Sequence, residues 1–155
     1  MKLKKVVMIL LTSLMLLTIS SSVTASEITP NATGIADTRE DAITLFNNKM
    51  YTLFISDASD KDWYKWTNDS GSPQIVDAFL YPTAPGTSLN LSAIIFYKNK
   101  LETSVIHAKR NVPTNGMMFD NLYIPDGGGV YFIIGNDLTG SVQYKFNILT
   151  GKYTD

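Results

Sequence analysis

The sequence predicts an all-β fold, an antiparallel β-sandwich of jelly-roll type with about eight strands. Apolar and polar residues alternate with a period of two in several short segments, which is typical of half-buried strands. The segments are separated by stretches rich in Gly, Pro, Asn and Asp, which favour turns. No long segment shows the 3.6-residue period of an amphipathic helix, so strands are expected to form the whole core.

The first 25 residues (1–25) predict a cleaved signal peptide. Three lysines within the first five residues precede an apolar run over 6–17, and small, polar residues follow up to Ala25. This order is typical of an export signal. The alternative is a membrane anchor that stays in place, but a spanning helix needs about 20 apolar residues and this run is shorter. We therefore expect a secreted chain that begins at Ser26 and has no membrane contact after cleavage.

The composition of the mature chain excludes several classes of function. It has 130 residues, of which 10 are basic and 14 acidic, a net charge of −4. This length suits one domain with a real core. No run of Lys or Arg could follow a phosphate backbone, so no nucleic-acid partner is expected. With no cysteine and one histidine, zinc and iron–sulfur sites are not expected and packing must replace disulfides.

The elements follow in order along the chain. Residues 26–36 predict a leader or linker, and residues 37–155 the sandwich domain. At its start, the segment 37–42 has the Thr and acidic residues that cap one short helical turn. Alternation is clearest near the end, where Val142, Tyr144, Phe146 and Ile148 are separated by polar residues. The predicted strands are 50–55, 62–67, 75–81, 89–98, 103–108, 117–124, 130–135 and 142–148.

Three segments of the chain resemble a known family. Residues 37–42 contain an Asp-Thr pair followed shortly by Ala, and residues 60–66 read Asp-x-Asp-aromatic-aromatic-x-aromatic. Residues 129–136 contain Gly-x-Tyr-aromatic, and the closing strand has Tyr-x-apolar-x-apolar. In order and spacing this resembles the bacterial pre-peptidase C-terminal (PPC) domain, a secreted β-sandwich related to the collagen-binding domains of clostridial collagenases. The resemblance implies an extracellular accessory domain of hydrolases.

The resemblance also implies a calcium site. In the collagen-binding relatives, acidic residues of the segment corresponding to 37–42 and of the following acidic turn chelate Ca²⁺. Asp37, Asp60 and Asp62 match them by position. Ca²⁺ takes six to eight oxygen ligands, and the relatives supply Glu and Asn upstream, where this chain has Thr-Gly-Ile-Ala over 33–36. The alternative is that these aspartates cap turns by accepting hydrogen bonds from backbone N–H groups.

Alternation within 62–67 also predicts a ligand-binding residue. Tyr64 and Trp66 fall on one side of the strand, and Trp63 and Lys65 on the other. If the first pair is core, Trp63 faces outward beside the acidic turn. Exposed aromatic rings add contact area with little loss of entropy and suit stacking on sugars or peptides. The alternative is that a loop covers this face.

Catalysis is not expected. His107, the single histidine, lies in a predicted strand, and the sequence contains no nucleophile elbow, zinc-protease motif or phosphate loop. We therefore predict a non-catalytic module that binds an extracellular protein, matrix polymer or glycan. One alternative is a chaperone or inhibitor of a co-secreted peptidase. Another is a small hydrolase that uses its carboxylates, since a pair of acids can cleave glycosides.

Overall fold

The computed structural model describes residues 35–111, 114–137 and 139–154. The predicted signal peptide and nearly all of the leader lie outside the described residues. Within them the chain forms ten strands and no helix, so the predicted β-sandwich is confirmed. Accordingly, the described part of the chain offers no helix long and apolar enough to cross a bilayer. In chain order the strands are β1 (Ile43–Thr44), β2 (Tyr51–Ile55), β3 (Lys61–Thr67), β4 (Gln74–Pro82), β5 (Leu89–Phe96), β6 (Ile106–His107), β7 (Lys109–Asn111), β8 (Gly116–Ile124), β9 (Gly129–Asn136) and β10 (Val142–Lys152).

The strands form two five-stranded sheets. Sheet I has the order β1-β3-β9-β5-β6, and sheet II the order β2-β10-β4-β8-β7. All neighbours are antiparallel except β1 and β3, which pair in parallel through Ile43 and Thr44. The register of β4 against β8 shifts between Val76 and Ala78, which marks a β-bulge. This bulge lies on the outer face of sheet II.

The core lies between the inner faces of the two sheets. Its largest fully buried side chains include Tyr64, Phe132, Tyr144 and Phe146. The Phe132 and Phe146 rings lie 5.5 Å apart at 67°, and the Tyr64 and Phe146 rings lie 4.9 Å apart. These are favourable arrangements for aromatic pairs. In β5 and in β10 up to Ile148 buried residues alternate with less buried ones, so there the period of two that predicted the strands also predicted which side chains are buried.

Two parts of the predicted strand pattern change in detail. The segment 103–108 forms only the short β6, because Thr103 caps the end of β5: its hydroxyl accepts a hydrogen bond from the Ile95 N–H at 3.0 Å, and its N–H donates to the Ile95 carbonyl. The strands β1 and β7 were not predicted and bring the number from about eight to ten. The predicted helical turn over 37–42 is a hydrogen-bonded turn, with Thr38 and Asp41 bonded to each other, that does not extend into a helix.

Candidate functional site

Residues 36–45 precede β2 and bind to the edge of β3 through backbone hydrogen bonds. We call them the attached segment. Ala36 is buried with a φ of 66°, and its carbonyl accepts a hydrogen bond from the Trp63 N–H at 2.8 Å. The parallel pairing of β1 follows, and then the Leu45 N–H donates to the Lys65 carbonyl at 2.8 Å. These contacts fix the backbone on both sides of Asp37. As a result, Asp37 lies against the start of β3.

The three aspartates predicted to bind a metal come together at this position. Asp60 precedes β3, Asp62 lies within it, and Asp37 faces them from the attached segment. One carboxylate oxygen of each lies within 4.8 Å of the others. Asp37 is exposed, Asp60 is half-buried and Asp62 is only 3% exposed. The structure thus brings the three predicted residues together, and the metal site itself stays a prediction.

Burial and charge act strongly on Asp62. Loss of solvation on burial raises the pKa of its carboxyl to about 7, and the negative charges of Asp60 and Asp37 act in the same direction. A hydrogen bond from the Tyr144 hydroxyl opposes the increase. In the metal-free protein, Asp62 therefore binds a proton far more readily than an ordinary aspartate.

Two core tyrosines continue from Asp62 into the interior. The Tyr144 hydroxyl donates to the Asp62 carboxylate, and the Tyr64 and Tyr144 hydroxyls lie 2.6 Å apart. Burial raises the pKa of both tyrosines far above the ordinary value, so both stay neutral. The alternation over 142–148 predicted Tyr144 only as a core residue, and the hydrogen bonds of its hydroxyl were not predicted. A tyrosine at an inward strand position is itself the signal that could have found them, because a buried hydroxyl needs a partner.

Asp57, which lies in the turn just before Asp60, caps that turn by accepting hydrogen bonds. Its Oδ1 accepts hydrogen bonds from the Ser59 N–H at 2.8 Å, the Ser59 hydroxyl at 2.6 Å and the Asp60 N–H at 3.2 Å. The bond from the Ser59 hydroxyl contributes most to lowering the Asp57 pKa. Asp60 also supports the turn, since its Oδ2 accepts the Ser56 N–H at 2.6 Å. Asp57 thus shapes the loop that carries Asp60.

The donor set of the cluster fits a hard divalent cation. Ca²⁺ binds carboxylate oxygens at about 2.4 Å, so two oxygens on one ion lie at most about 4.8 Å apart. The oxygens of Asp37, Asp60 and Asp62 meet this limit. A cation among them would also compensate the mutual repulsion of the three carboxylates. Water or backbone carbonyls would have to complete the coordination, because three side chains do not supply six ligands.

Trp63 faces outward from sheet I, as predicted, and is half-buried. Its ring contacts the Tyr131 ring edge-on at 6.3 Å, and the Tyr131 ring contacts Phe96 at 5.1 Å. Together Trp63, Tyr131 and Phe96 form an aromatic row across β3, β9 and β5, which we call the sheet I row. Two cationic side chains lie over the row.

Cationic side chains cover the sheet I row. The Arg39 guanidinium lies 4.3 Å above the Tyr131 ring, and the Lys65 ammonium lies 5.4 Å from the Phe96 ring. Arg39 is held there by an ion pair with Glu102 from the loop after β5. The same ion pair lowers the pKa of Glu102. An exposed ion pair contributes little stability, so a ligand that stacks on Tyr131 could displace it at low cost.

His107 has no catalytic arrangement in the described residues. Its Nδ1 lies 3.0 Å from the Ser92 hydroxyl, and the two residues are direct neighbours across β5 and β6. No carboxylate that would orient the ring contacts it in the described part of the chain. A depression of about 660 Å³ beside it is lined by Lys61, Asn90 and Asp137, among others, with no Trp, Tyr or Phe among its described lining residues.

A groove on the outer face of sheet II was not predicted from the sequence either. It is formed by the ends of β4, β8 and β10 and includes the exposed rings of Tyr123 and Tyr153. Neither tyrosine follows a motif, and three segments that are distant in sequence, around residues 75–77, 121–123 and 149–154, form the groove. In the sequence, Tyr123 occupies an outward strand position and Tyr153 follows the last strand, and neither marks a groove by itself.

Comparison with known proteins supports the fold. No protein-family model matches the sequence, and no curated protein matches it. Among solved structures, the chain is similar to the pre-peptidase C-terminal domain of a collagenase from Bacillus anthracis, with a TM-score of 0.53 and 13% identity over 69% of this chain and 93% of that one. It is also similar to the Yersinia pseudotuberculosis-derived mitogen, with a TM-score of 0.48 and 14% identity over 71% and 92% of the two chains. The collagenase domain agrees at the level of the fold with the resemblance found in the sequence.

Proposed function

We propose that this protein is a secreted, non-catalytic binding module for an extracellular protein, matrix polymer or glycan. The observation that carries the proposal is the sheet I row, in which Trp63, Tyr131 and Phe96 lie side by side on an outer sheet face. A sheet face is rigid, so its rings lose little conformational freedom on binding. Binding interfaces are enriched in aromatic residues for this reason.

The acidic cluster has a structural role in this proposal. Ca²⁺ bound by Asp37, Asp60 and Asp62 would join the attached segment to β3 and so fix Arg39, two residues after Asp37. Because Arg39 covers Tyr131, the metal would also order one edge of the binding face. The spacing of the carboxylate oxygens, all within 4.8 Å of one another, supports this role.

The proposal is tested by binding to polymers. Purified protein is incubated with insoluble collagen, chitin and cellulose and with soluble polysaccharides on beads, and the bound fraction is measured. Trp63→Ala is expected to weaken binding about tenfold, the usual effect of truncating a central aromatic contact. Phe46→Ala is the matched control, because Phe46 is an exposed aromatic residue outside the sheet I row. Equal binding by all three proteins, or no binding by any, would contradict the proposal.

The two alternatives make different predictions. A chaperone or inhibitor of a co-secreted peptidase would co-purify with that enzyme and change its activity at equimolar ratio. A hydrolase would need a carboxylate that can reach substrate. Asp62 has the raised pKa expected of a general acid, but it is 3% exposed and does not line the surface depression formed by Asp37, Asp57 and Asp60. This geometry favours the non-catalytic function.

A further inference from the structure

A concave groove lies on the outer face of sheet II, on the opposite side of the molecule from the sheet I row. Its volume is about 740 Å³, within the range of about 300–1,000 Å³ common for small-molecule sites. Both aromatic and polar side chains line it. We call it the sheet II groove, and its principal residues are Asp77, Asn121, Tyr123, Leu149, Gly151 and Tyr153.

A glycine keeps the floor of the groove open. Gly151 lies on β10 opposite Ile75 of β4. A Cβ atom at this position would meet nothing within 4 Å, and the residue is outside the left-handed region of φ. The backbone therefore does not require glycine here. A side chain at this position would therefore extend into the open space of the groove.

Two exposed tyrosines form adjoining walls of the groove. The side chains of Tyr123 and Tyr153 are 46% and 42% exposed. Their ring centroids lie 5.2 Å apart with the planes at 89°, so each ring limits the movement of the other. The backbone of Tyr153 is held by a hydrogen bond from its N–H to the Pro73 carbonyl at 3.2 Å. Leu149, 40% exposed, extends the apolar surface along β10.

The β-bulge supplies the polar groups of the groove. Where β8 departs from β4, Asn121 adopts a φ of 57°, and its N–H donates to Asp77 Oδ1 at 2.7 Å. This bond fixes the Asp77 carboxylate on the groove surface and leaves its second oxygen without a partner in the described residues. The Asn121 amide adds a donor and an acceptor beside it.

We propose that the sheet II groove binds a neutral glycan. A sugar ring presents an apolar C–H face to an aromatic ring and hydroxyl groups to carboxylate and amide oxygens, and this groove offers both. Its described charged residues, Asp77 and Lys152, are one of each sign, which favours an uncharged ligand. A protein partner would instead cover about 800 Å² of a flatter surface. The inference rests on the proposed function, since it names a ligand class for the binding module, but it concerns a separate surface.

The test is affinity electrophoresis of the purified protein in native gels that contain soluble xylan, mannan, glucan or galactan, each neutral, with poly-L-proline as a peptide comparison. At least one neutral polysaccharide is expected to retard the wild-type protein. Gly151→Val fills the floor of the groove, and Tyr123→Ala removes a wall, so each is expected to weaken binding about tenfold. Tyr97→Ala is the matched control, because Tyr97 is 37% exposed and lies outside the groove. Thermal unfolding establishes that each variant is folded, and Tyr153→Ala replaces any variant that is not.

The outcomes separate this inference from the proposed function. If retardation is lost in Gly151→Val and Tyr123→Ala but kept in Trp63→Ala and Tyr97→Ala, the groove is the glycan site. If only Trp63→Ala loses the retardation, the proposed function stands and the sheet II groove is refuted as the glycan site. If poly-L-proline retards the protein through the groove and no polysaccharide does, the ligand class is wrong. If no polysaccharide and no peptide retards the protein, the inference is overturned.

Discussion

Replacing Asp62 by asparagine should make the metal-free protein more stable at neutral and alkaline pH. The reason is that the folded protein must hold a carboxylate that is 3% exposed and lies beside Asp37 and Asp60. Asparagine has nearly the same shape, and its Oδ1 can still accept the hydrogen bond from Tyr144. The substitution therefore removes the charge and keeps the contact.

The magnitude follows from the pKa of Asp62, which burial raises from 3.8 to about 7. A folded-state pKa above the unfolded value means that the folded protein binds more protons than the unfolded chain between these two pH values. The free energy of unfolding therefore falls as the pH rises through this window. One pKa unit corresponds to about 1.4 kcal/mol, so Asp62 should reduce the free energy of unfolding by about 2–3 kcal/mol between pH 5 and pH 8.

The assay is urea unfolding in EDTA at pH 5 and at pH 8, followed by tryptophan fluorescence from Trp63 and Trp66. The free energy of unfolding of the wild type should be lower at pH 8 than at pH 5 by this amount, and that of Asp62→Asn should not show this decrease. Asp57→Asn is the control, because Asp57 is an exposed turn residue with a lowered pKa, and this variant should keep the wild-type loss. An Asp62→Asn protein that loses as much stability as the wild type would refute the reasoning about burial and charge.

Three further predictions concern stability. When EDTA is replaced by CaCl₂ at 100 times the Kd, the free energy of unfolding of the wild type should rise by about 2.7 kcal/mol, measured by thermal unfolding, and Asp60→Ala should abolish this increase. If the wild type shows no increase, the calcium site is refuted. Tyr144→Phe should cost about 1–3 kcal/mol because it leaves buried groups unsatisfied, and Tyr64→Phe should cost less because Tyr144 stays bonded to the aspartate; a reversed order in urea unfolding would contradict the hydrogen-bond chain. Gly129→Ala should lower the melting temperature, because its Cβ would overlap the Trp66 carbonyl oxygen; an unchanged melting temperature would show that this contact relaxes.

The long strands were predictable because they have one buried face, and that requirement appears in the sequence as a period of two. The pattern over 142–148 shows it: all its apolar residues are buried, and the polar ones between them are not. The strands β1 and β7 were missed because two or three residues show no period. β1 is held instead by its pairing with β3, which local sequence does not contain.

The acidic cluster was found through a resemblance, whereas the sheet II groove was not predicted at all. The Asp37, Asp60 and Asp62 positions keep a spacing that can be matched to a family. The groove depends on a bulge in β8 and on the last residues of β10. Its formation is a property of the register between distant strands, and no pattern within one segment records that register.

The place of β10 within sheet II sets the order in which the domain can fold. β10 is the last strand in sequence, yet it lies between β2 and β4 and pairs with both. A chain that emerges N-terminus first from a ribosome cannot pair β2 and β4 with β10 until residues 142–152 arrive. Pairing over such long sequence distances is slow, and unpaired strand edges favour aggregation in the meantime. Sheet II is therefore completed only after nearly the whole domain has been synthesised. A truncation within β10 would leave β2 and β4 without the strand that both of them pair with.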